Sequence, residues 1–113
     1  MCTKNQLHII SENVAREAKR LLGDKLETVI LYGSYARGDY DSESDVDLLV
    51  IVRCKTEELR LYRHLLAPVS GRLSLENNVT VSVAMADTES FTKYGNYLPY
   101  YINVNREGIR LNA

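Results

Sequence analysis

"LETVILYGSYARGDYDSESDVDLLVIV", residues 26–52, decides how this chain folds. Its first seven residues, 26–32, are mostly β-branched or aliphatic and predict a strand. Residues 45–52, "DVDLLVIV", predict a second strand, and their unbroken apolar half places it centrally, covered on both faces. The twelve residues 33–44 between them allow a wide hairpin with antiparallel pairing. Such pairing brings Gly33 and Ser34, at the end of the first strand, beside Asp45 and Asp47, at the start of the second. Asp45 and Asp47 are two residues apart, so they share a face of the strand.

The flanking sequence supplies the rest of the fold. Leu7, Ile10, Val14, Ala18, Leu21 and Leu22 recur at helical spacing over 5–22, and Gly23-Asp24 stops that helix. A second helix starts at Thr56 with Glu57 and Glu58 in its first turn. Leu59, Tyr62, Leu66, Val69 and Leu73 keep its period across Pro68, which predicts a kinked long helix or two short ones. "NVTVSVAMA", 78–86, alternates as a third strand, and the preceding helix is a crossover long enough for parallel pairing with the second. Asp87 is placed to cap a short helix over 88–94. A last helix over 98–107 leads through Gly108 to an extended "IRL". This order predicts an α/β (α+β) fold, a small mixed sheet flanked by helices, in a single domain over 1–113.

Composition narrows the function. With a net charge of −1, no global basic field draws the chain to nucleic acid or membrane. No apolar run approaches a membrane span and no signal peptide is present, so a reducing cytoplasm is the expected compartment. Cys2 and Cys54 have no metal-ligand spacing. His8 and His64 stand alone.

The corner of the predicted hairpin carries the chemistry. The two aspartates are either a solvated strand entrance or the ligands of a cation. Paired carboxylates repel, and a hard divalent cation, Mg²⁺ above all, relieves that while keeping waters and phosphates in its shell. Gly33 lets backbone approach a phosphate, and the amides of a helical turn over 34–37 donate to its oxygens. Arg37 either adds a bidentate phosphate contact or anchors the acidic loop that holds Asp39, Asp41 and Glu43. Tyr94, Tyr97, Tyr100 and Tyr101 are expected to pack the last helices onto the sheet, the alternative being a partner-facing patch.

"GSYARGDYDSESDVDLLV" resembles the G-S-x(10)-D-x-D signature of the DNA polymerase β-type nucleotidyltransferases. It is most similar to the minimal nucleotidyltransferases that are paired with a HEPN-domain partner in toxin–antitoxin systems. "VSVAMADTESF" and "LPYYINVNREGIRL" resemble the later parts of such domains. The resemblance implies a polymerase β-like fold, a two-metal Mg²⁺ site at Asp45 and Asp47, and an ATP-like nucleotide donor bound by Gly33, Ser34 and Arg37. It implies transfer of a nucleoside monophosphate to a hydroxyl, which in partner-paired members is a tyrosine of the HEPN protein. A homo-oligomer is compatible with it. Small-molecule-modifying relatives add a C-terminal domain, so an end at Ala113 leads us to expect the acceptor from another chain or subunit.

The family pattern also has a third carboxylate on the neighbouring strand. Its position here falls on Ser82, a neutral and weaker ligand and a poor base. The expectation is therefore either a nucleotidyltransferase or a catalytically impaired member that neutralises a partner by contact.

Overall fold

The computed structural model describes residues 3–111. The first helix, α1 (Lys4–Leu22), opens on a capping box in which Thr3 accepts from the Gln6 amide and Gln6 reaches back to the Thr3 amide. Its Ile10, Val14, Ala18 and Leu22 are buried, which is the stripe read from the sequence. A short 3₁₀ turn leads into β1 (Leu26–Tyr32), and β2 (Val46–Val52) follows the long hairpin loop.

After a 3₁₀ turn at Thr56–Glu58 comes α3 (Leu59–Asn77), with a single helical turn, α2 (Ser34–Arg37), lying earlier within the loop. Pro68 lies inside α3, which runs as one uninterrupted helix rather than two short ones. Proline removes the bond to the carbonyl of residue 64, and both His64 and Pro68 are exposed, so water can serve that carbonyl. Asn78, in the left-handed region at φ 50°, ends α3. That cap takes up residues expected to begin the third strand, so β3 starts later, at Val81–Asp87.

Asp87 caps α4 (Thr88–Tyr94) by accepting from the Ser90 amide, as its position predicts. The last helix, α5 (Pro99–Glu107), has its proline in the first turn, and the "IRL" segment is β4 (Ile109–Leu111). The sheet order is β3-β2-β1-β4, with β2 parallel to β3 and the other pairs antiparallel. The antiparallel β1–β2 hairpin and the parallel crossover to β3 agree with the sequence reading.

Each sheet face carries its own core. On one, α1 and α3 cover Val29, Leu48, Val50 and Val81. On the other, Phe91 of α4 and Val104 of α5 pack over Ile30, Leu49 and Ile51. Five consecutive residues of β2, Leu48 to Val52, are buried because it is central and both faces are covered. Gly108 lets α5 turn directly into β4, since a Cβ there would lie 2.4 Å from Ile30 Cγ2 and from the Val104 carbonyl.

Candidate nucleotide site

Strand register assembles the candidate site. Tyr32 opposes Asp47 across β1 and β2, and Asp47 pairs with Ser82 across β2 and β3. Residues level across neighbouring strands share a face, so Tyr32, Asp47 and Ser82 form a row on the face that α4 and α5 cover. Asp45 lies immediately before β2 and is exposed, while Asp47 is half-buried. Gly33 brings the end of β1 against this row. Its φ is +77°, and a Cβ on it would lie 2.6 Å from Asp47 Oδ2. Only glycine fits both that backbone and that approach.

From Gly33 the chain enters α2, where the Ala36 and Arg37 amides both donate to the Gly33 carbonyl at 3.1 Å. Tyr35 plugs α2 into the core under α1 and stacks on Tyr40 with ring centroids 4.4 Å apart. The turn is therefore fixed from below, and Ser34 at its start sits between Gly33 and the loop.

Charge is unevenly compensated here. Burial raises the Asp47 pKa above the ordinary carboxylate range, and the neighbouring Asp45 raises it further; Arg37 opposes them. Arg37 is itself anchored, with Nε donating to Asp39 at 3.1 Å and Nη1 to Glu107 at 2.9 Å. The loop-anchoring reading of Arg37 thus describes its present contacts, which among the described residues use Nε and Nη1. Among the described residues, no three His, Cys, Asp or Glu side chains come together as a metal cluster. The two aspartates fit a cation that takes its other ligands from water and phosphate, since the partial burial of Asp47 and its repulsion by Asp45 are what such a cation relieves.

The tyrosines depart from the packing expectation. Tyr94, Tyr97 and Tyr100 are exposed, Tyr97 by 75%, while Tyr101 packs edge-on against Phe91. The reason is that α5 is short and buries chiefly Val104, leaving the α4–α5 junction outside the core. Tyr100 reaches the site instead, donating a 2.8 Å hydrogen bond to the Tyr32 hydroxyl. Burial raises the pKa of both phenols, so both stay protonated. Sequence reading did not find Tyr32 or Glu107, because α5 meets the corner only through tertiary packing. The extended "IRL", whose pairing with β1 turns the end of α5 toward Arg37, was the one available hint.

A mixed sheet with a glycine turn facing paired aspartates defines the class: a nucleotide-handling transferase fold. The chain belongs to the nucleotidyltransferase domain family, whose model matches residues 11–109. The minimal-nucleotidyltransferase likeness read from the sequence agrees with that membership. The chain is 41% identical over 76 residues to "Putative protein adenylyltransferase MJ0141" of Methanocaldococcus jannaschii, covering 67% of this chain and 74% of that protein. A second protein from the same archaeon, "Putative protein adenylyltransferase MJ0604", is 31% identical over 84 residues, covering 74% of this chain and 76% of its own.

Among solved structures, a Sulfolobus solfataricus "putative nucleotidyltransferase" shares the fold with a TM-score of 0.61 at 20% identity, over 94% of this chain and 78% of that one. A toxin–antitoxin crystal structure with AMP-PNP shares it with a TM-score of 0.56 at 20% identity, over 90% and 73%. Among the described residues, no helix is long and apolar enough to cross a membrane.

Proposed function

We propose that this chain uses Mg²⁺ and an ATP-like donor to transfer a nucleoside monophosphate to a hydroxyl of a partner protein. The observation that carries the reading is the close approach of Gly33, at the start of the α2 turn, to the Asp47 carboxylate. Asp45 and Asp47 would hold the Mg²⁺, one ion or the two that the sequence resemblance implies, with water and phosphate oxygens as the other ligands. When bound, Mg²⁺ supplies neutralisation of the charge that develops on the α-phosphorus and the leaving pyrophosphate. Gly33 and the Ser34 amide at the start of α2 receive the β- and γ-phosphates, and the Ser34 hydroxyl adds a donor. Arg37, held by Asp39 and Glu107, offers Nη2 to the same oxygens.

The acceptor hydroxyl attacks the α-phosphorus as the bond to pyrophosphate breaks. Ser82 beside Asp47 is no base at neutral pH, so the acceptor's proton leaves to water or to a group brought by the partner. The protein-adenylyltransferase names of the M. jannaschii relatives support a protein acceptor. Similarity of fold to toxin–antitoxin structures, one with AMP-PNP, supports an ATP-like donor and an antitoxin role. The sequence resemblance adds a HEPN-type partner whose tyrosine receives the nucleotide, and the proposed compartment is the reducing cytoplasm.

A second reading rests on the Asp47–Ser82 pairing: a member that has lost turnover and neutralises its partner by contact alone. Transfer of label from [α-³²P]ATP to a co-expressed partner separates the two. Labelling that disappears in Asp45→Asn supports transfer and sinks the contact-only reading. Neutralisation without labelling, unaffected by Asp45→Asn, does the reverse.

A further inference from the structure

Among the described residues, large exposed apolar side chains other than Ile9 and Ile109 fall into two groups on opposite sides of the sheet. On α3, Leu61, Leu65 and Leu75 face solvent while the same helix buries Leu66, Val69 and Leu73. At the α4–α5 junction, Tyr94, Tyr97, Leu98 and Tyr100 are exposed within seven residues of chain. Only the second surface adjoins the candidate site. Tyr100 is bonded to Tyr32, and Tyr32 opposes Asp47 in the strand register. The leucines of α3 stand behind the sheet, over the other core.

We infer that the α4–α5 junction, centred on Tyr97 and Leu98, is the docking surface for the protein that carries the acceptor hydroxyl. The inference rests on the transfer reading above. A hydroxyl delivered by another chain must reach the α-phosphorus held at Asp45 and Asp47, so its carrier must cover the rim of that corner. The rim has two chemically distinct sides. One is the aromatic junction, and the other is the acidic loop with Asp39, Asp41 and Glu43. Arg37 ties the loop to the C-terminal end of α5 by holding Asp39 and Glu107, and at the other end of that helix Tyr100 of the junction meets Tyr32.

That pairing selects the occupant. Four or more carboxylates beside the corner repel a nucleic-acid backbone. Neutral tyrosine and leucine side chains are what protein interfaces concentrate at their energetic centre. The matching partner is a protein surface with an apolar centre for Tyr97 and Leu98 and a basic flank for the acidic loop.

The test measures transfer of label from [α-³²P]ATP to proteins of a lysate of the source cells, together with calorimetric binding of Mg²⁺·ATP. Tyr97 makes no hydrogen bond or ring contact through its side chain, so Tyr97→Ser leaves the core untouched; the Tyr97→Ser, Leu98→Ser pair extends the lesion. Both are expected to cut labelling, the pair by about tenfold, with nucleotide affinity unchanged, as loss of an interface hot spot does. The Leu61→Ser, Leu75→Ser pair on α3 is expected to label like wild type. Equal labelling by the junction variants, an equal loss in the α3 pair, or a parallel loss of nucleotide affinity overturns the docking surface while the transfer reading survives. A wild type that labels nothing removes the transfer reading itself, and the docking surface with it.

Discussion

Gly33 and Asp47 approach so closely that a single added carbon on the glycine would lie 2.6 Å from the carboxylate oxygen. The two residues come from different strands, and the antiparallel register that sets Tyr32 opposite Asp47 makes them neighbours. The glycine therefore serves the carboxylate as well as the turn. Gly33→Ala adds left-handed strain and a clash together. It is expected to destabilise the protein by about 1–3 kcal/mol, the usual cost of such a backbone conformation for a residue with a Cβ. Urea unfolding of the two proteins measures this, and an unchanged midpoint would contradict the geometry.

Ser82→Asp places a third carboxylate level with Asp47. In EDTA it is expected to lower the melting temperature, because three like charges then crowd one edge of the corner. With saturating Mg²⁺ it is expected to recover more stability than wild type does, as binding to the folded state alone requires. A melting temperature with no added response to Mg²⁺ would mean that Ser82 does not share the face of the pair.

Asp87 gives a pH dependence with a definite sign. Burial alone would raise its pKa, but bonds from the Ser90 amide and hydroxyl and from the Thr56 hydroxyl outweigh burial and hold it below the ordinary carboxylate value. A carboxylate with a depressed folded pKa contributes stability above its unfolded pKa and loses it as pH falls through the folded one. Asp87→Ala is therefore expected to cost about 1 kcal/mol at neutral pH, the usual worth of an N-cap. The gap between wild type and variant, followed by thermal melts on acidification, should close below the ordinary aspartate range. A gap that widens on acidification would reverse the assignment.

How much of this was legible in the sequence depends on how local each feature is. The β1 and β2 strands, the α2 turn and the Asp87 cap follow from runs of a few residues, and they lie where the pattern puts them. The family resemblance places Ser82 beside Asp47, with strand alternation giving only its face; the register that pairs the two comes from the sheet. At Pro68 the sequence allows one long helix or two short ones, and exposure decides for the single helix: on the solvent side of α3 a proline costs one bond without splitting it. The tyrosines misled because their amphipathic spacing says that some face is apolar, not that anything covers it. Arg37 was left between two readings, since its partner Glu107 lies seventy residues away in the chain and only the return of α5 into β4 brings it near.

The Tyr100–Tyr32 bond is a tertiary contact of this second kind. Tyr100→Phe removes one 2.8 Å hydrogen bond while keeping the ring that stands edge-on to Tyr32. The expected loss is about 0.5–1.5 kcal/mol in urea unfolding. Tyr100→Leu, which also removes the ring, should cost more. Equal losses from the two variants would show that the ring contributes nothing, and no loss in Tyr100→Phe would show that the hydroxyl contributes nothing.

The central claim is that Asp45 and Asp47 hold a metal–nucleotide against the Gly33–Ser34 turn. Titration calorimetry with ATP, with and without Mg²⁺, on wild type and the Asp45→Asn, Asp47→Asn variant tests it most directly. The account predicts binding that requires Mg²⁺ and is lost in the variant, while the variant is at least as stable as wild type in EDTA because the repulsion between the half-buried Asp47 and the neighbouring Asp45 is gone. Nucleotide binding of undiminished affinity in that variant, or none in wild type, would contradict it.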